Sequence, residues 1–106
     1  MIWVNVNTHN DEISSLEIIG HAEFLESGQD VVCAACSLTA TGLLNALEQL
    51  VPETCDLIKE ENRIYIEVRS NNNEVQTIIN TGIIQLETLA ETFNKYIKIK
   101  KTEVKL

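Results

Sequence analysis

Basic residues are scarce in this sequence. Lysine and arginine number 8 against 16 aspartate and glutamate residues, which gives a formal net charge of −8 at pH 7. Five of the eight cations lie in the last twelve residues, so the rest of the chain is more acidic still. This charge argues against direct binding of nucleic acid and favours a basic partner.

The sequence also lacks the patterns of export and membrane insertion. Its first residues, MIWVNVN, show no basic leader followed by a long apolar run and a small-residue cleavage site. The longest stretch without charge, residues 31–47, carries serine, threonine and asparagine and is short for a membrane span. We therefore expect a cytoplasmic protein that does not contact a membrane, with this stretch forming a buried amphipathic helix.

Cysteine and proline are few, with three residues of the first and one of the second. An odd number of thiols in a cytoplasmic chain argues against a structural disulfide framework. The 106 residues, 44% of them hydrophobic, are enough for one core rather than two. We predict a single domain over residues 1–106.

Hydrophobic periodicity predicts the order β-β-α-β-β-α-β. Alternating apolar residues on both sides of the polar loop NTHNDE, residues 7–12, indicate a hairpin whose second strand ends at Gly20. A three- and four-residue apolar repeat predicts a helix over residues 31–50, with Asp30 as its N-cap and Pro52 after its end. The segment DLIKEENRIYIEVRS predicts two strands around residues 60–62.

The last third of the chain predicts a helix and an edge strand. Asn73, followed by Glu74 and Gln76, is typical of a capping box that starts a helix reaching about Asn94. Gly82 falls on its buried stripe, where we expect close packing. The lysine-rich tail alternates as an edge strand does. The fold class is therefore α+β, with a mainly antiparallel sheet of about five strands and two amphipathic helices, whose apolar faces favour a homodimer.

The stretch GHAEFLESGQDVVCAACS, residues 20–37, carries the candidate chemistry. With Asp30 as N-cap, Cys33 is expected in the first helical turn, where the helix dipole favours a thiolate and unpaired N–H groups could bind an oxyanion. The loop of residues 22–29 is long enough to bring His21 beside Cys33 and could act as a mobile lid over a basic peptide. From the spacing alone, a plain structural role for all three residues remains open.

Two other chemistries compete for the same residues. Cys33-Ala-Ala-Cys36 has the spacing of a dithiol oxidoreductase, in which Cys33 attacks and Cys36 resolves. The context fits poorly, because the only proline, Pro52, lies at the far end of the helix. Zinc could use the three cysteines with His9 and His21, but only one close pair of ligands exists. We expect no metal and no cofactor.

A family resemblance is more specific than the spacing. The residues that carry it are Gly20-His21-Ala22, Gly28, Asp30-Val31-Val32-Cys33-Ala34-Ala35 and Ser37, which together resemble the signature of the bacterial ribosomal-processing cysteine protease family. The resemblance implies a small cytoplasmic homodimeric endopeptidase without a cofactor. It also implies a basic substrate, the large-subunit ribosomal protein twenty-seven, whose N-terminal extension is removed for ribosome assembly.

The resemblance also implies roles for individual residues. His21 corresponds to the general base and Cys33 to the nucleophile, while Asp30 and Ser37 correspond to supporting groups. Asp30 could equally act as a helix cap or orient His21. The expected substrate loop comprises Gly20, Ala22, Glu23, Glu26 and Gly28.

The sequence departs from the family pattern at Cys36, where a small apolar residue is usual. Under oxidation, Cys36 could pair with Cys33 and stop catalysis. Two alternatives to the protease remain open at this point: a dithiol redox protein that uses the Cys-Ala-Ala-Cys motif, and a non-catalytic ribosome-assembly module that binds the basic partner.

Overall fold

A computed structural model describes residues 1–20 and 29–105 of the chain. The strands and helices follow in the predicted order, so the predicted α+β class is confirmed. Their bounds are β1 Ile2–His9, β2 Glu12–Ile19, α1 Gln29–Leu50, β3 Cys55–Glu60, β4 Arg63–Val68, α2 Asn73–Thr92 and β5 Ile97–Glu103.

The five strands form one sheet in the order β3-β4-β2-β1-β5. Three of the four strand pairs are antiparallel, and only β5 runs parallel to its neighbour β1. The parallel pair follows from the chain path, because α2 carries the chain back across the sheet before β5. The predicted lysine-rich edge strand is confirmed as β5, which lies at one end of the sheet.

The first hairpin turns more tightly than predicted. The expected loop of residues 7–12 is wrong, because β1 extends to His9 and β2 begins at Glu12. Only Asn10 and Asp11 connect the strands, with φ angles of 51° and 64°. Two consecutive positive φ values define the two-residue turn whose twist matches that of paired strands, and Asn and Asp tolerate this conformation well. The His9 ring lies against β5's end, with Nδ1 3.0 Å from the carbonyl oxygen of Val104.

Both helices contribute to one hydrophobic core on one face of the sheet. The core joins Val4, Leu16 and Ile66 of the sheet with Leu47 of α1 and Ile79 of α2, each at most 1% exposed. By length and composition alone, residues Val31–Leu50 could also cross a membrane, although a core helix passes the same test. Here the helix supplies Val32, Ala40, Leu43, Leu44 and Leu47 to the core, as the sequence predicts for a buried amphipathic helix.

The N-cap of α2 is one residue earlier than predicted. Asn72, not Asn73, caps the helix, and its Oδ1 accepts a hydrogen bond from the Val75 N–H at 2.8 Å. Gln76 therefore does not complete a capping box. Its side-chain amide instead pairs with the main chain of Ile13, accepting from the N–H at 2.8 Å and donating to the carbonyl at 2.9 Å. This pairing ties α2 to the start of β2.

Close packing at Gly82 is confirmed. A Cβ atom at this position would lie 2.7 Å from Cδ2 of Leu43, which is far inside normal van der Waals contact. Gly82 is buried at the contact between α1 and α2. The two helices can approach this closely only because the residue carries no side chain.

Candidate active site

Cys33 lies beside a cavity of about 290 Å³ at one end of the molecule. The cavity is lined by residues 33–41 of α1, by Ile2 of β1, by the end of β2 and by the β3–β4 hairpin. Cys33 is half-buried, whereas Cys36, one turn further along α1, is 3% exposed and belongs to the core. The two thiols therefore have unequal environments although both line the same cavity.

One stripe of α1 forms a wall of the cavity. Cys33, Ser37 and Thr41 follow each other at four-residue intervals and line it together, since residues four apart share a helix face. Eight residues of helix span about 12 Å. The cavity thus runs from Cys33 along two turns of the helix, and Ser37 lies one turn from Cys33, as predicted from the spacing.

Gly20 shapes the opposite corner of the cavity. Its φ angle is +99°, and a Cβ atom there would overlap the carbonyl oxygen of Met1. The Gly20 N–H donates a hydrogen bond to the carbonyl of Asn62 at 2.9 Å, which holds the end of β2 against the β3–β4 turn. The φ angle and the close approach of Met1 both require glycine at position 20, because other residues are strained at this φ and their Cβ atom would have no room. Gly20, the residue before His21, therefore lies at the edge of the cavity.

The β3–β4 hairpin forms the remaining wall and is stiffened by Arg63. The guanidinium donates to Glu17 at 2.8 Å and to Glu60 at 2.9 Å, and it lies 4.9 Å from the centre of the Tyr65 ring. The hydrogen bond from Arg63 holds the pKa of Glu17 below its ordinary value, and these two carboxylates raise the pKa of Arg63. This wall contributes Lys59, Glu60, Asn62, Arg63 and Ile64 to the cavity lining.

Burial makes the thiol of Cys36 much less acidic than an exposed thiol. Loss of solvent, reinforced by the nearby Cys33, raises the pKa of the Cys36 thiol to about 11. Cys36 is therefore protonated at neutral pH and is a poor nucleophile. Cys55 lies elsewhere, beside a second cavity lined by Leu47 and Val51 near the other end of α1.

The predicted position of Cys33 within its helix needs correction. The helix begins at Gln29, so Asp30 is its second residue and not its N-cap, and Cys33 is the fifth residue, beyond the first turn. The main-chain N–H of Cys33 is consequently directed to the carbonyl of Gln29, as the α-helical pattern requires. It is not one of the unpaired N–H groups that the sequence suggested as oxyanion donors.

Several predicted site residues lie outside the described residues. These are His21, Ala22, Glu23, Glu26 and Gly28, and the same holds for the predicted lid as a whole. Of the remaining predicted residues, the structure brings Gly20, Cys33 and Ser37 to one cavity.

Sequence reasoning missed the hairpin side of the cavity. Thr41 could have been found by extending the four-residue spacing from Cys33 and Ser37 by one more step. Asn62 and Ile64 carry no comparable signal, because they lie about thirty residues further along the chain and reach the cavity only through strand pairing. Among the side chains that the structure describes, in residues 1–20 and 31–105, no group of three or more His, Cys, Asp or Glu could hold a metal ion.

Comparisons with known proteins agree with the fold. A family model described as cysteine protease Prp matches residues 1–98. The ribosomal processing cysteine protease Prp of Staphylococcus aureus is 36% identical over 104 residues, which cover 93% of this chain and 97% of that protein.

Solved structures of the Staphylococcus aureus protease have the same fold. Prp in complex with a substrate peptide matches with a TM-score of 0.88 and 28% identity, covering 96% of this chain and 100% of that one. Prp in complex with a covalently linked product peptide matches with a TM-score of 0.86 and 29% identity over the same shares.

The fold and these relatives define a small α+β cysteine protease, an enzyme that hydrolyses peptide bonds. The chain belongs to the Prp cysteine protease family, as its resemblance at residues 20–37 predicts. A dithiol oxidoreductase and a non-catalytic binding module are not favoured by these findings.

Proposed function

We propose that this protease removes the N-terminal extension of the large-subunit ribosomal protein twenty-seven, and that this processing precedes or accompanies ribosome assembly. The observation that carries the proposal is the placement of Cys33 beside a cavity in a chain of the Prp family. Relatives carry the name ribosomal processing cysteine protease, and one solved structure holds a substrate peptide. The net charge of −8 suits a basic substrate.

Cys33 acts as the nucleophile in this proposal and His21 as the general base. His21 takes the thiol proton, and the Cys33 sulfur attacks the carbonyl carbon of the scissile bond. His21 then returns the proton to the leaving amine, and water hydrolyses the acyl-enzyme. The oxyanion that forms in this step lies one helical turn from the positive end of the α1 dipole.

Supporting roles go to two residues of α1 and to the preceding loop. Ser37 shares the cavity wall with Cys33 and contributes a hydroxyl one helical turn away. Asp30, now inside the helix and not its N-cap, would orient the imidazole of His21 and stabilise its charged form. The substrate loop comprises Gly20, Ala22, Glu23, Glu26 and Gly28, whose carboxylates suit a basic peptide.

The whole chain, residues 1–106, would act as one domain in the cytoplasm, with no membrane or direct nucleic-acid partner. It would do so as a homodimer, because apolar side chains remain exposed on both helices. Leu38 of α1 is 76% exposed and lines a groove that includes Gly42 and Ala46, and Ile84 of α2 is 61% exposed. Light scattering at micromolar concentration should give twice the chain mass of 11.9 kDa, and a monomer mass would contradict the dimer.

Cleavage of the extended ribosomal protein tests the proposed function directly. The wild type, Cys33→Ala, His21→Ala and Cys55→Ala are incubated with this substrate, and its N-terminal mass is followed over time. We expect Cys33→Ala and His21→Ala to lose more than about a thousandfold in rate, as removal of a nucleophile or base does. Cys55→Ala should match the wild type, since this thiol lies at the other end of α1. Cleavage by Cys33→Ala at the wild-type rate would refute the assignment.

A further inference from the structure

The second thiol of the cavity has no role in peptide cleavage. Cys36 follows Cys33 by three residues in α1, and both residues line the same cavity. Helical geometry places Cα atoms three residues apart at about 5 Å. Disulfides usually join Cα atoms 4.4 to 6.8 Å apart, so the Cα separation allows a bond between these residues. Their Cβ atoms, about 5–6 Å apart in a regular helix, must approach to about 4.5 Å or less through a local shift of α1.

The two thiols differ in how readily they meet a small reagent. Cys33 is half-buried beside a cavity of about 290 Å³, whereas Cys36 is 3% exposed within the core. One water molecule occupies about 30 Å³ of liquid, so the cavity has room for a molecule of the size of hydrogen peroxide. Such an oxidant would meet Cys33 before Cys36, and the raised pKa of Cys36 further disfavours direct attack by that thiol.

We propose that Cys33 and Cys36 form a reversible oxidation site at which hydrogen peroxide, or another small hydroperoxide, converts the two thiols into a disulfide. The Cys33 thiolate attacks one peroxide oxygen, an S–O bond forms, the O–O bond breaks and hydroxide leaves to become water. The Cys36 thiol then loses its proton and attacks the Cys33 sulfur, which forms the S–S bond and releases the second oxygen as water. Two thiols and one peroxide thus give one disulfide and two waters.

The disulfide would inactivate the protease and would also protect Cys33 from irreversible oxidation. It removes the thiolate that the proposed function assigns as nucleophile, and a dithiol reductant restores it. It also diverts the sulfenic acid of Cys33 from further oxidation to the sulfinic acid, which thiols do not reverse. Regulation of cleavage therefore rests on the proposed function, whereas formation of the disulfide does not.

The third thiol provides a matched control. Cys55 lies beside Leu47 in a separate cavity, and the eleven residues of helix from Cys36 to Leu47 span about 16 Å. This exceeds the separation of about 7 Å beyond which two cysteines cannot be bridged without movement of the backbone. Oxidation at Cys33 should therefore not involve Cys55.

Mass spectrometry of peroxide-treated protein tests the site. The wild type, Cys55→Ala, Cys36→Ala and the bulkier Cys36→Val are exposed to a small excess of hydrogen peroxide, then alkylated and mapped without reduction. We expect the wild type and Cys55→Ala to lose two hydrogen atoms in the peptide that contains residues 33 and 36, and to regain two alkylatable thiols with a dithiol reductant. Both Cys36 variants should instead gain two or three oxygen atoms at Cys33, irreversibly.

Two results would overturn the site. One is that the wild-type protein, after peroxide treatment, either retains both alkylatable thiols or gains oxygen at Cys33 as fast as the Cys36 variants do. The other is a disulfide that includes Cys55. Cleavage of the ribosomal substrate is measured on the same samples, so the two proposals fail separately. A disulfide in a protein that cleaves nothing when reduced would contradict only the proposed function, and cleavage without any disulfide would contradict only the oxidation site.

Discussion

Replacing Gly82 by alanine should destabilise the protein although alanine is the better helix former. In a helix interior, the exchange of glycine for alanine normally gains about 1 kcal/mol. Here the new Cβ would lie 2.7, 3.1 and 3.3 Å from Cδ2, Cδ1 and Cγ of Leu43. Rotation of one methyl group cannot relieve three short contacts, and Leu43 is only 6% exposed, so either the whole Leu43 side chain must change its rotamer or the helices must separate.

The expected net effect follows from these two opposing contributions. Overpacking of a well-packed core costs about 1–3 kcal/mol, from which about 1 kcal/mol of helix propensity is subtracted. We therefore expect Gly82→Ala to lower the free energy of unfolding by up to about 2 kcal/mol. The loss of each 1 kcal/mol should lower Tm by about 4–8 °C in a domain of this size.

Gly42 provides a matched control in the other helix. A Cβ atom at Gly42 would meet nothing within 4 Å, and the residue is exposed on α1. Within one chain, Gly42→Ala should therefore gain stability by about 0.5–1 kcal/mol through helix propensity. Because Gly42 lines the groove proposed to meet a second copy, melts at several protein concentrations separate this gain from a change in dimerisation. Urea unfolding and thermal melts of both variants, at equal protein concentration, give the comparison. Equal stabilisation by both substitutions would refute the argument that contact with Leu43 decides the sign at Gly82.

Three further predictions concern the hairpin, a helix cap and the corner of the cavity. Glu17→Gln should lower Tm at pH 7, because the hydrogen bond from Arg63 holds the pKa of Glu17 below its ordinary value. The stability that this lowered pKa contributes is present at pH above the unfolded-state pKa and is lost as pH falls through the folded-state pKa, so a Tm difference that persists unchanged at low pH would contradict it. Asn72→Ala should cost about 1 kcal/mol in urea unfolding and Asn73→Ala close to none, and the reverse order would refute the assigned cap. Gly20→Ala should cost about 1–3 kcal/mol by thermal melting, because φ is +99° and its Cβ would overlap a carbonyl; a wild-type Tm would contradict the close approach.

Most of the fold could be predicted from the sequence because strong local patterns and the global fold agree. Apolar residues alternate in β1 and β4, which predicts strands, and they recur every three or four residues in α1, which predicts a helix. The structure confirms both predictions. Errors are confined to ends of elements. Asn72 and Asn73 are equally good caps in sequence, and in the structure Asn72 caps the helix while Gln76 pairs with Ile13, a residue more than sixty positions away.

The candidate site divides in the same way. Its resemblance to a protease family could be recognised from one stretch of eighteen residues, and the stripe of Cys33 and Ser37 follows from helical spacing. The start of α1 could not be placed, since Asp30 is as acceptable in a first helical turn as at the cap. Helix ends depend on where the chain leaves the core as much as on the capping residue.

The sequence by itself determined the order of strands and helices, the acidic character of the chain and the identity of the family, because these depend on local pattern and composition. Both cysteines line the cavity, and only the tertiary structure decided that Cys33 is half-buried while Cys36 is buried in the core, because the two residues have the same side chain and differ only in what packs against them. It also decided that the β3–β4 hairpin walls the cavity, since the hydrogen bond from Gly20 to Asn62 joins segments that no local pattern connects. Strand pairing and burial depend on contacts between residues far apart in sequence, and these contacts bring the signature residues of α1 beside the β3–β4 hairpin.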